Sequence, residues 1–363
     1  MNKMGTIRSL KYAVAAMACA AMPAGAQTAS LDSAVIPATT LADLPHVGIS
    51  NGIVSAKVYL PGEDGFYRGT RFDRTGVVAH ATYKGTDYGQ PWFSSYSPHV
   101  RDFQWRDGQV TVSTVSASVG PAEDFQPVGY DEAGACPEGA QQTKCGRFLK
   151  IGVGIMKRDA SAYDFVHAYP VVNEGTRTAS HTKSSLRLTH TVADKDSGFG
   201  YSYVKTVRLT PGKAQMTIEH VLKNTGRRDI VTTVYCHNFL TLSPGNENIA
   251  ITAPFDIKTD KPFASDAAVV DGKTIRYLRA VKEGEAVTSP ISGFGDKAGD
   301  YDFTVKNTAT GFGQRIRADQ PLARINFWSI RTNTSWEPYI AIAIKPGETK
   351  RWTYTYDYFG PGA

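Results

Sequence analysis

Cysteine is scarce: only four of the 363 residues. That count, with a length ample for a large core, excludes a small disulfide-stapled scaffold. No two histidines stand at i, i+4, and no HExxH occurs, which excludes a helical zinc hydrolase motif. There is no GxSxG elbow and no P-loop. Gly152-Val153-Gly154 opens like a dinucleotide fingerprint but lacks the third glycine and the helix after it. No metal site and no Rossmann or serine-hydrolase function are therefore expected. No apolar run reaches the length of a membrane helix, and no Lys/Arg cluster carries interleaved aromatics, so neither a membrane span nor a nucleic-acid partner is implied. No segment has a convincing helical period, and no repeat of fixed length is visible.

What is present points to β-structure. Hydrophobic residues at 41% and charged residues at 20% exclude a disordered chain. The 18 Tyr, 16 Phe and 5 Trp suit strands and also suit sugar-binding surfaces. Short runs such as Ile53–Tyr59, Gly76–Tyr83, Gln109–Val119 and Phe148–Met156 are broken by Gly, Pro, Asn and Asp. Met216, Ile218, His220 and Leu222 share one face of a period-two segment. At the C-terminus, Ile340, Ile342 and Ile344 alternate with alanines, Pro346-Gly347-Glu348 supplies a turn, and Trp352, Tyr354, Tyr356 and Tyr358 alternate again. This reads as a hairpin. The expected fold is a large, mostly antiparallel all-β sandwich over residues 47–363, without an internal linker.

Residues 1–26 read as a secretory signal peptide: Lys3, Arg8 and Lys11, an apolar stretch from Tyr12 to Met22, then Ala24-Gly25-Ala26 before Gln27. Losing those three basic residues would halve the formal net charge of +6. A periplasmic or secreted protein is expected, with residues 27–46 as an extended leader. Cys136 and Cys145 flank a polar loop and are expected to form a disulfide in an oxidising compartment. Cys236 lies in an apolar strand and reads as a buried thiol.

Two titratable residues stand out. His237 ends the apolar run Ile230–Tyr235 and precedes Asn238, where it can face a cleft; a purely structural role fits the sequence equally well. Glu337 stands between Trp336 and Pro338, just before an apolar strand. Partial desolvation there would raise its pKa and suit proton transfer; a rim salt bridge is the alternative. His220, on the apolar face of its strand, reads as a core histidine.

His237-Asn238-Phe239-Leu240-Thr241-Leu242 resembles the HTYFNL-like strand of galactose mutarotases, the aldose 1-epimerases. Glu337-Pro338 followed by Pro346-Gly347-Glu348 resembles that family's LEP…PGE segment, and Gly69-Thr70-Arg71-Phe72-Asp73-Arg74 resembles its GxxxxR segment. The resemblance implies a mutarotase-like β-supersandwich and a carbohydrate ligand, mono- or oligosaccharide. It implies cofactor-free anomer exchange, with Glu337 as base, His237 as acid and Arg74 on the sugar. His99, Asn238 and Trp336 are the further expected sugar contacts. Three features depart from the family pattern. His99 lacks the neighbouring Gly pair, Cys236 replaces an Asn, and the family's sugar-binding Asp has no counterpart in the sequence. Two other functions remain open. One is a poly- or oligosaccharide lyase using His237, Tyr201 or Tyr203 beside Arg74. The other is a non-catalytic carbohydrate binder. Oligomeric state is not indicated.

Overall fold

Period-two alternation governs the chain. In the computed structural model, which describes residues 35–131, 146–159 and 162–362, the regular elements are β-strands and short 3₁₀ turns such as Ala38–Leu41 and Ala298–Asp300. No α-helix occurs among the described residues. The all-β expectation holds. Cys136 and Cys145, the signal-peptide residues and the first part of the leader lie outside the described residues.

Two antiparallel sheets carry most of the fold. A ten-stranded sheet runs in the order Thr176–His181, Ser185–Ala193, Gly200–Leu209, Gln215–Asn224, Thr349–Phe359, Gly313–Ala318, Asp302–Asn307, Ile249–Thr252, Thr274–Tyr277, Ala268–Asp271. A six-stranded sheet runs in the order Lys258–Thr259, Ala286–Ser292, Arg324–Ile330, Asn333–Ile344, Ile230–His237, Ala122–Phe125. Their inner rows meet in one core: Ile340, Ile342 and Ile344 from the smaller sheet, and Trp352, Tyr354 and Tyr356 from the larger. Burying such side chains is worth about 1.5–3 kcal/mol each before entropy is counted.

The C-terminal turn is not a hairpin. Strand 333–344 pairs with 324–330 and 230–237, whereas strand 349–359 pairs with 215–224 and 313–318. The turn at Pro346–Glu348 carries the chain from one sheet to the other. The reason is physical: both apolar rows must face the same core, and crossing between layers achieves this. Alternation reports which face is buried, not which strand is the neighbour. Phe148–Met156 likewise divides into two paired strands, Arg147–Lys150 and Gly154–Lys157. The leader from residue 35 on is part of the body: Ile36 pairs with Tyr96, and Leu41 is buried.

The smaller sheet splays beside the site. Strands 230–237 and 333–344 pair up to Tyr235–Tyr339 and meet again only at the bridge between Leu240 and Thr334. In the gap, the Asn238 amide donates to the Cys236 and Trp336 carbonyls, and its oxygen accepts from Tyr356 Oη. Gly120 closes the far side. A Cβ there would meet the His237 carbonyl at 2.4 Å and the Phe239 nitrogen at 2.6 Å, so only glycine fits.

Candidate active site

Continuing the 230–237/333–344 register by two residues sets His237 opposite Glu337. Their side chains touch: His237 Nε2 lies 3.2 Å from Glu337 Oε1. Both are nearly enclosed, at 3% and 5% exposure. Each is held from its other end. Ser335 Oγ lies 2.8 Å from His237 Nδ1, and Asn326 Nδ2 donates to Glu337 Oε2 at 2.9 Å. The His237 ring stacks on Phe239 with centroids 3.6 Å apart and meets the edges of Phe72 and Trp328. Asn326, Trp328 and Arg71 beside the dyad are only partly buried.

Burial dominates the electrostatics of this dyad. It pushes Glu337 up to about 7; the Asn326 hydrogen bond and Arg71 pull the other way, and Asp124 adds to the rise. Burial pushes His237 well below its ordinary value, and the Arg71 charge adds to that. Both shifts favour uncharged forms, as expected for ionisable groups taken out of water.

Beside the dyad lies a second cluster. Asp124 Oδ1 accepts from Lys150 Nζ at 2.9 Å. Asp124 Oδ2 accepts from Tyr235 Oη at 3.0 Å and from Arg71 Nε at 3.3 Å. Arg71 Nη2 also donates to Tyr235 Oη, and Lys150 Nζ to Tyr163 Oη. The Arg71 guanidinium lies over both Phe72 and Phe165. Tyr339 stacks on Tyr235 at 4.4 Å, with Arg324 over its outer face. Among the described residues, no group of three or more His, Cys, Asp or Glu is arranged to hold a metal ion.

No family model and no curated protein matches the sequence. Solved structures do match. A galactose mutarotase-like protein from Clostridium acetobutylicum superposes with a TM-score of 0.50, over 90% of this chain and 98% of that one, at 9% identity. The fold is galactose mutarotase-like. A galactose mutarotase related enzyme from Lactobacillus acidophilus (TM-score 0.49, 10% identity, 86% of this chain and 97% of that one) is also similar. So is an aldose epimerase homologue from C. elegans (TM-score 0.46, 11% identity, 87% and 99%).

On this mutarotase-like fold the residues singled out from sequence separate into two groups. Glu337 and His237 come together. Arg74 does not join them: its guanidinium donates to the Gly69 and Arg68 carbonyls and pairs with Glu174. The arginine beside the dyad is Arg71, three residues earlier. Tyr67 Oη accepts the Arg71 and Phe72 amides, and the turn they form aims residue 71 at the site. Trp336 also turns away. Strand alternation sends it to the opposite face from Ser335 and Glu337, into the core against Phe303 and Phe327. The tryptophan beside the dyad is Trp328. Asn238 ties the splayed strands together and is spent on backbone carbonyls and Tyr356. His99 is exposed in the turn after Ser95–Ser97. Tyr201 and Tyr203 are core residues, bonded to His190 and Asp73. His220 is buried against Glu123.

Asp124, Lys150, Tyr235 and Asn326 are members of the site that the sequence reading missed. Alternation carried a signal for some of them. Tyr235 shares a face with His237, and Ala122-Glu123-Asp124-Phe125 places two adjacent acids in a four-residue strand that is buried throughout. A separate groove of about 800 Å³, lined in part by His46, Lys57, His80, His181 and Lys183, contains none of the dyad residues.

Proposed function

We propose that this protein is an exported, cofactor-free enzyme of the aldose 1-epimerase type, interconverting the anomers of a sugar at Glu337 and His237. The observation that carries the reading is the enclosed contact between these two side chains, with Glu337 pushed up to about 7 and His237 pushed down. Such a pair holds one mobile proton near neutral pH. The hydroxyl and ring oxygens of a hemiacetal sit on the same carbon, so an acid and a base that already touch can serve both.

In the proposed cycle the proton rests on Glu337, and His237 is neutral, with its Nδ1–H donated to Ser335. Glu337 gives its proton to the ring oxygen while His237 Nε2 takes the proton of the anomeric hydroxyl. The bond from the anomeric carbon to the ring oxygen breaks, and an aldehyde forms. After the aldehyde rotates, both transfers reverse on its other face. The resting roles are thus exchanged relative to those the resemblance implies, because burial favours the uncharged pair. Positioned acid and base groups each contribute about 10²–10⁴-fold.

Polarimetry on freshly dissolved single anomers, across neutral and acidic sugars, tests the proposal. Acceleration of at least one sugar is the expected result; no acceleration of any would leave a lyase or a non-catalytic binder. Export is checked by the N-terminus of protein recovered from the periplasm or medium. It should begin at Gln27, and protein kept in the cytoplasm with residues 1–26 intact would overturn that part.

A further inference from the structure

Three stretches of the chain contain no acid. Residues 44–62, 74–86 and 175–193 hold Lys57, Arg74, Lys84, Arg177, Lys183 and Arg187, and neither Asp nor Glu. Parts of all three meet in the groove of about 800 Å³. Its floor is one face of the sheet that contains strands His46–Ser50, Val54–Tyr59 and Val77–Tyr83. Two rungs cross that face: Gly48, Lys57 and His80, then Ser50, Ser55 and Thr82. The alternate residues Val54, Ala56 and Val58 are buried in the core. The turn His181-Thr182-Lys183 forms a wall, held where the Ser50 amide donates to the Lys183 carbonyl at 2.7 Å. Lysines, imidazoles and hydroxyls line the groove, and no carboxylate does. Lys57 Nζ donates to the Ala42 carbonyl at 2.6 Å, and Lys183 is exposed; neither pairs with a carboxylate among the described residues. Asp87 is bonded to His80. Asp43, next in sequence to Ala42, is exposed and makes no ion pair with Lys57.

We propose that this groove is a second binding site, separate from the dyad, and that it takes a segment of an acidic polysaccharide. Its volume falls within the range of about 300–1,000 Å³ of sites for drug-sized ligands, more than one small anion needs. Lys57 stands on the floor and Lys183 on the wall, so the cations do not converge on one point. That spread suits a ligand whose negative groups repeat along a chain. The short floor residues Gly48, Ser50 and Ser55 leave room for sugar rings to lie against the sheet, with serine hydroxyls facing theirs. Other polyanions fit less well. No Phe, Tyr or Trp lines the groove, so nucleic-acid bases find no stacking platform. A flat anionic membrane does not follow a concave floor. The choice of a glycan over an acidic peptide rests on the proposed function; the charge and shape of the groove do not.

Affinity electrophoresis with polygalacturonate, dextran sulfate, neutral dextran, polyglutamate and single-stranded DNA tests this. An acidic polysaccharide should bind at least about tenfold more tightly than dextran at low salt, and the difference should shrink as salt screens the attraction. Carboxylated and sulfated chains share the chemistry, and the tighter of the two names the source. Lys183→Gln and Lys57→Gln should each weaken binding about two- to fivefold, the scale of one exposed ion pair. Lys306→Gln, the same charge change at an exposed position on strand Asp302–Asn307, should not. An equal loss with Lys306→Gln would show attraction to net charge alone and overturn the proposal. So would failure to bind either acidic polysaccharide, or tighter binding of polyglutamate or DNA. Anomer exchange is read separately. Glu337→Gln should retain polysaccharide binding, and Lys183→Gln should retain exchange of a free monosaccharide. Binding without exchange keeps this site and sinks the epimerase reading; exchange without binding does the reverse.

Discussion

Glu337→Gln is expected to lower anomer exchange of an accepted sugar by at least about 100-fold, within the range for one positioned proton-transfer group. The amide keeps the side chain's shape and can still accept from Asn326, but it cannot pass a proton to the ring oxygen. His237→Asn should cost about as much. The double variant should be little worse than either single one, because the two residues act as a unit. Thermal stability should not fall with Glu337→Gln, since the change removes an ionisable group from an enclosed site. Full activity in that variant would show that another group carries the proton, even if the enzyme is an epimerase.

Lys205→Met should cost about 3–5 kcal/mol of folding stability, the scale for breaking a buried ion pair from one side. Lys205 Nζ donates to Asp73, to Glu123 and to the Gly76 carbonyl. Methionine fills the space but leaves both carboxylates without their cation. Burial acts to raise Glu123, but the Lys205 charge and the His220 hydrogen bond outweigh it and hold the carboxylate at about 2. A depressed carboxylate stabilises the folded state above its unfolded value of about 4.3, and that contribution is lost as pH falls toward 2. The wild type should show this acid-side loss of stability, and Lys205→Met should show less of it. Urea midpoints at several pH values read both effects. A cost under about 1 kcal/mol would mean that the cluster behaves like solvated surface pairs.

Much of the fold was legible because alternation is a local signal. The rows Ile340–Ile344 and Trp352–Tyr358 are buried as the sequence pattern predicts, and so is the face carrying Met216, Ile218, His220 and Leu222. Pairing was not legible. The same alternation serves a hairpin or a crossing between sheets, and only the demand of a shared core selects the crossing at Pro346–Glu348. The dyad was half legible: His237 and Glu337 stand out as titratable groups at strand ends, yet nothing local says that they touch. Trp336 could have been placed correctly, since its parity in the strand opposes that of Glu337. Arg71 could not have been told from Arg74. That choice depends on a turn fixed by the Tyr67 hydroxyl and by Asp73, whose amide donates to the Glu123 carbonyl. Asp124 and Lys150 reach Arg71 from other strands, and no pattern within a short window reports such a meeting.

The pH–rate profile of wild-type anomer exchange, followed by polarimetry on an accepted sugar, tests most directly whether the dyad works with one shared proton. The rate should fall above about pH 7 as Glu337 loses the proton it must donate, and should hold on the acid side until well below pH 6.5, where His237 gains a charge. A rate that instead rises through pH 7 would show that ionised Glu337 is the working base, contradicting the neutral dyad.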